Sequence, residues 1–160
     1  MRAKEFLPEV NVDNRSGWGA TPHNANVDYR GMAVRMRPST FLKLALPLAA
    51  NDQDTTEIER HITQGGTIGA PFLEIRAPDE WRDSGDYSEP AVVYGHDGRH
   101  RMLAIYRSEG DEPVEVHLFL MSRHYEWRNR HMTPEVMQAL NAQLVPQGSN
   151  AAIQGPFFAS

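Results

Sequence analysis

The chain has 160 residues, a formal net charge of −5 and no cysteine. Its length suits one domain with a real core, and the missing thiols exclude disulfides, cysteine nucleophiles and thiolate-bound zinc or iron–sulfur centres. The acidic balance argues against a protein held to DNA by a broad cationic face. No apolar run approaches the roughly 18 residues of a membrane span, and residues 1–8 hold no apolar signal core. We therefore expect no membrane partner and a cytoplasmic protein.

Residues 1–30 are crowded with Asn, Gly, Pro and Asp and read as an irregular arm. Order is expected from Gly31. Met32, Val34 and Met36 alternate with Ala33, Arg35 and Arg37, the period of a half-buried strand. Pro38-Ser39 then opens a helix with an apolar face of Phe41, Leu42, Ala45 and Leu46, which Pro47 stops. A second helix follows with two capping-box registers, Asp54 with Glu57 and Thr56 with Glu59, and with Ile58 and Ile62 on one face. Gly65-Gly66 ends it, and residues 71–75 read as a strand. Residues 77–90 form an acidic surface excursion in which Trp81 covers the edge of the core.

Residues 91–94 have the continuous apolar character of a buried strand. Gly95 to Gly98 is expected to be a turn. The next helix runs from Arg99 to about Ser108, with Met102, Leu103 and Tyr106 facing inward and Gly110 at its end. A strand over 113–120 places Val114, Val116, Leu118 and Leu120 on one face. Thr133-Pro134-Glu135 opens a last helix through Val136, Met137, Leu140 and Leu144. After Val145 the chain reads as coil whose Phe157-Phe158 pair folds back onto the domain. The expected layout is α/β (α+β): a small mixed sheet with flanking helices at 31–145, an arm before it and a tail at 146–160.

The chemistry concentrates at Tyr94-Gly95-His96-Asp97-Gly98-Arg99-His100-Arg101. A strand turning sharply into a helix aims backbone N–H groups and the positive end of the helix dipole at one point. Gly95 and Gly98 allow the tight turn and close approach of an anion. Arg99 and Arg101 offer guanidinium forks suited to phosphate oxygens, and His96 and His100 can donate hydrogen bonds or move protons. Asp97 is open to several roles: helix N-cap, orienter of a histidine, magnesium ligand or catalytic base. A plain surface turn whose arginines pair with the acids of 79–89 is the competing structural reading.

The segment Asp97-Gly98-Arg99-His100-Arg101-Met102-Leu103-Ala104-Ile105, led by an apolar strand and followed by Gly110 and Pro113-Val114, resembles the signature of the ParB/sulfiredoxin superfamily. Glu57 to Ile62, Gly65-Gly66 and Pro71 to Ile75 resemble that family's preceding helix, glycine and proline-led strand, so the resemblance spans about residues 31–120. It implies nucleotide binding at this corner. Gly95, Gly98, Arg99, His100 and Arg101 would hold phosphates, Gly65, Gly66 and Thr67 would line the nucleotide, and Glu57 would be a candidate acid. The implied ligand is a nucleoside triphosphate, ATP or CTP, with Mg²⁺. Without cysteine, the thiol chemistry of sulfiredoxins has no counterpart here. The short chain also resembles small phage or mobile-element proteins, which would place it in a bacterial or phage-infected cell.

Other groupings compete. His96 and His100 with Asp97 or His117 form an alternative metal set, but a helix starting at Gly98 leaves His96 outside it, so their spacing does not give one face. Arg123, Tyr125, Trp127, Arg128 and Arg130 interleave aromatic rings with cations, as single-stranded nucleic-acid platforms do; a connecting segment with two core aromatics has the same composition. The function expected first is phosphoryl transfer from a nucleotide to a hydroxyl of a nucleic-acid base or small metabolite, with His96 or Asp97 as base. A non-catalytic module that binds nucleic acid, DNA included, and a metal-dependent nuclease are the alternatives.

Overall fold

A computed structural model describes residues 32–46, 54–66, 68–121 and 132–159. The expected arm at 1–30 lies outside them, as do Thr67, Arg123, Tyr125, Trp127, Arg128 and Arg130. The chain is a mixed α/β protein with a curled seven-stranded sheet.

Strand β1 (Met32–Met36) alternates inward Val34 and Met36 with outward Ala33 and Arg35, as its sequence period demands. Helix α1 (Pro38–Leu44) buries Phe41 and Leu44. No side chain of its own caps its start. Instead Asp111, from a distant turn, accepts the Ser39 N–H at 2.8 Å and the Ser39 hydroxyl at 2.6 Å, placing a carboxylate at the positive end of α1.

Helix α2 (Thr56–Thr63) buries Ile58 and Ile62. Neither capping box forms. Asp54 accepts the Thr56 N–H at 2.9 Å, while Glu59 accepts the hydroxyl of Thr55 rather than of Thr56. Thr55 is buried and also accepts from Arg107, and this third partner decides the register. Gly65, with φ of 82°, terminates the segment.

Strand β2 (Phe72–Arg76) is followed by a short helix, α3 (Asp79–Asp83), where the sequence suggested only an excursion. Trp81 turns inward from α3, donates to the Glu89 carbonyl at 2.8 Å and meets Tyr87 edge to face. Strand β3 (Ala91–Asp97) leads to helix α4 (Arg99–Glu109) and strand β4 (Val114–Met121). The buried positions of α4 are Arg101, Met102, Ala104 and Ile105, whereas Tyr106 is exposed. The inward stripe is thus rotated from the expected Met102, Leu103 and Tyr106, because an arginine occupies a core position that hydropathy assigns to solvent.

Helix α5 (Pro134–Ala142) starts as expected, with the Thr133 hydroxyl accepting the Val136 N–H at 3.3 Å. Leu144 does not extend it. The chain passes into β5 (Gln143–Val145) where the helix was expected to continue, then into β6 (Ile153–Gln154) and β7 (Phe158–Ala159), two short strands where coil was expected after Val145.

The sheet order is β6-β5-β3-β2-β4-β1-β7. β2 lies antiparallel to β3 and parallel to β4, and β1 lies antiparallel to β4. Leu73, Ile75, Val93, Leu118 and Leu120 join Phe41, Ile58, Met102 and Ile105 in one apolar cluster, so the helices cover one face of the sheet. The opposite face carries Arg35, Glu115, Phe72, Glu74 and Arg76, with Phe72 and Phe119 edge to face at 4.9 Å.

The C-terminal strands are fastened by one side chain. Asn141 Oδ1 accepts the N–H groups of Phe157 at 2.7 Å and Phe158 at 2.8 Å, which buries Phe157 and sets β7 against Arg35 and Met36. Asn141→Ala removes both bonds and is expected to cost about 2 kcal/mol, measured as a lower urea midpoint at unchanged slope.

Candidate functional site

The junction between β3 and α4 is tighter than a four-residue turn. Gly95, His96 and Asp97 belong to β3, paired with Glu74, Leu73 and Phe72 of β2. The chain then reverses at Gly98 alone, with φ of 105° and ψ of 14°. Two constraints act on that residue. A side chain is disfavoured at this φ, and a Cβ would stand 2.7 Å from Pro71 Cβ and 2.9 Å from Pro71 Cα.

The two arginines turn inward. Arg99 donates through Nη1 to the carbonyls of Leu42 at 2.9 Å and Ala45 at 2.6 Å, so it caps the negative end of α1. Arg101 is 2% exposed. Its Nη1 donates to the Gly69 carbonyl at 2.5 Å, and its Nη2 approaches Asp97 Oδ1 at 3.3 Å. Neither pairs with the acids of 79–89. Asp97 is therefore a partner of Arg101 at the end of a strand, and the helix N-cap is Gly98, with no side-chain cap.

His96 points to the helix-covered face and meets the Phe41 ring edge-on at 6.5 Å. Its Nδ1 is buried with no hydrogen-bond partner. Burial, reinforced by the nearby Arg99 charge and opposed by Asp97, holds its pKa below the ordinary 6.5, so the ring is neutral at pH 7. His100 is exposed in the first turn of α4. Gly95 carries the Glu74 carboxylate over it, with Oε2 3.0 Å from where a Cβ would sit.

The loop of Gly65 and Gly66 is brought towards the junction through Arg101, which holds Gly69 three residues beyond Gly66. The His61 ring fills the space over Gly66. Glu57 is exposed in the first turn of α2, whose start is tied through Thr55 to Arg107 rather than to Gly98. The alternative metal set is split: His96 faces the helices, while His117 is buried on the other sheet face with Nε2 2.7 Å from Glu115 Oε2. Among the described residues no three His, Asp or Glu side chains gather to hold a metal ion, and no helix is long and apolar enough to cross a membrane.

What remains at the junction is the backbone at the start of α4. The first intrahelical bond of α4 runs from the Met102 N–H to the Gly98 carbonyl, so the N–H groups of Arg99, His100 and Arg101 precede it. The first turn contains no acid. Its cations oppose the helix dipole by about 0.3–1 kcal/mol each, and the carbonyls of Leu42, Ala45 and Gly69 offset this for the two arginines.

The outer sheet face departs from the burial expected of residues 91–94. Val92 and Tyr94, expected to be buried, are exposed, while Ala91 and Val93 are buried. A bulge opposite Glu74 and Ile75 skips Tyr94 in the pairing and turns its ring outward, where the Arg76 guanidinium lies 3.8 Å from the ring centroid. Strict alternation of Val92 and Tyr94 about Val93 was the one available signal.

Gly98→Ala is expected to destabilise the protein by at least about 2 kcal/mol, from backbone strain plus contact with Pro71, read by chemical denaturation. A second outcome concerns pH. Because His96 binds its proton less readily folded than unfolded, stability is full above about 6.5 and falls as pH drops through that value. His96→Gln should flatten the dependence of Tm on pH below about 6.5; an unchanged slope would show that His96 is not its source. No family model, curated protein or solved structure matches the chain.

Proposed function

We propose that this chain is a ParB/sulfiredoxin-like nucleotide-binding domain that takes the phosphates of a nucleoside triphosphate at the start of α4 and transfers a phosphoryl group to a hydroxyl of a nucleic-acid base or small metabolite. The observation that carries the reading is the uncapped start of an eleven-residue helix behind a left-handed glycine, with no acid in its first turn. A phosphate satisfies the orphan N–H groups and the dipole together. The order α2, Gly65, β2, β3, Gly98, α4, β4 supports the superfamily reading, as does the tie from Arg101 to Gly69.

Each residue then has a role. The N–H groups of Arg99, His100 and Arg101 bind phosphate oxygens, and the exposed His100 adds a donor. Arg101 acts as a positioning residue that locks the junction against the loop before β2. His96 is the base: its ring is neutral and only half-buried, two residues before Gly98. The acceptor oxygen bonds to the terminal phosphorus, the bond to the bridging oxygen breaks, the nucleoside diphosphate leaves, and the hydroxyl proton passes to His96. Magnesium would arrive with the phosphates and neutralise their charge; Asp97 is the carboxylate best placed to add a ligand.

The test is thermal unfolding with ATP, CTP, GTP and UTP, with and without Mg²⁺. A ligand at about 100 times its Kd stabilises by about 2.7 kcal/mol, a rise of about 5–10 °C for a domain of this size. The absence of any shift removes the reading. His96→Gln should keep the shift and lose turnover, and wild-type turnover should fall only as pH drops below the ordinary histidine range.

A further inference from the structure

The outer edge of β3 leads straight to the start of α4. Among the described residues, β5 pairs with β3 only at Ala91 and Val92, so no described strand covers that edge from Val93 to Asp97. Along this stretch the bulge presents Tyr94, which is 54% exposed beside the exposed Val92. Arg76 occupies one face of the Tyr94 ring at 3.8 Å. A guanidinium on one side of an exposed, outward-turned ring leaves a flat apolar surface for another planar group. Glu74 shares this face with Arg76 and holds its carboxylate over Gly95, between Tyr94 and the junction.

Resting on the phosphate reading of the α4 start, we propose that Tyr94, Arg76 and Glu74 form the base subsite of the same nucleotide, and that this subsite takes a base bearing an exocyclic amino group. Gly98 lies four positions after Tyr94, at most about 13 Å of strand, which is the scale of an extended nucleoside triphosphate from base to terminal phosphate. The base stacks on Tyr94, a contact that every base can make. Selectivity comes from Glu74. A carboxylate accepts hydrogen bonds and repels carbonyl oxygens, so it suits the amino groups of adenine, cytosine or guanine and disfavours uracil. Asp97 has its Oδ1 on Arg101, and its other oxygen would meet the magnesium that accompanies the phosphates.

Calorimetric titration of the full chain with inorganic tripolyphosphate and with ATP, CTP and UTP, each with Mg²⁺, separates the two readings. Tyr94→Leu should weaken the best-binding amino-bearing nucleotide about tenfold and leave tripolyphosphate unchanged, while Tyr94→Phe keeps wild-type affinity. Glu74→Ala should erase the preference over UTP. Tyr94 is exposed, so these variants should fold, with circular dichroism as the check. If tripolyphosphate binds but Tyr94→Leu weakens it and the nucleotides equally, or if UTP binds as well as the others, the base subsite is wrong and the phosphate site stands. If neither tripolyphosphate nor any nucleotide binds, both are wrong.

Discussion

The buried guanidinium of Arg101 is the interaction on which the rest of the junction depends. A planar cation inside an apolar core is costly unless its donors are met. Here they are met by the Gly69 carbonyl, before β2, and by Asp97, at the end of β3. One side chain of α4 therefore fastens two chain segments that the sequence separates by 28 residues. Gly98 lies against Pro71 beside this contact and leaves no room for the junction to relax.

Arg99 performs a similar service on the other side. Its bonds to the last carbonyls of α1 place a cation where that helix has its negative end. Both arginines are thus engaged in architecture, and the proposed anion binding would fall to the peptide N–H groups they hold in place. Such a site would be preorganised, since its donors belong to backbone fixed by Gly98 against Pro71 and by the two arginines rather than to mobile side chains. His96 fits the same logic, because burial against Phe41 keeps its ring neutral beside a cationic helix start.

Much of the fold is legible in the sequence wherever one local rule acts alone. The alternation of β1, the Ile58–Ile62 pair of α2, the proline-led start of α5 and the apolar face of β4 all follow from periodicity and capping. The failures share a cause. Leu144 continues a helical spacing, yet its backbone pairs with Ala91 of β3. Thr56 and Glu59 spell a capping box, yet Thr55 and Arg107 take Glu59 into a different network. In each case a partner far along the chain outcompeted the local preference.

The junction divides in the same way. Local composition is enough to call for a glycine-bearing, cation-rich reversal between a strand and a helix within Gly95–Gly98, because glycine sterics limit where such a reversal can occur. Only the tertiary structure decided which groups meet the surroundings. Arg101 went inside because Gly69 and Asp97 offered acceptors, and Tyr94 went outside because β2 imposed a bulge on β3. A side chain's orientation depends on register and on partners distant in sequence, and no local pattern of residues encodes either.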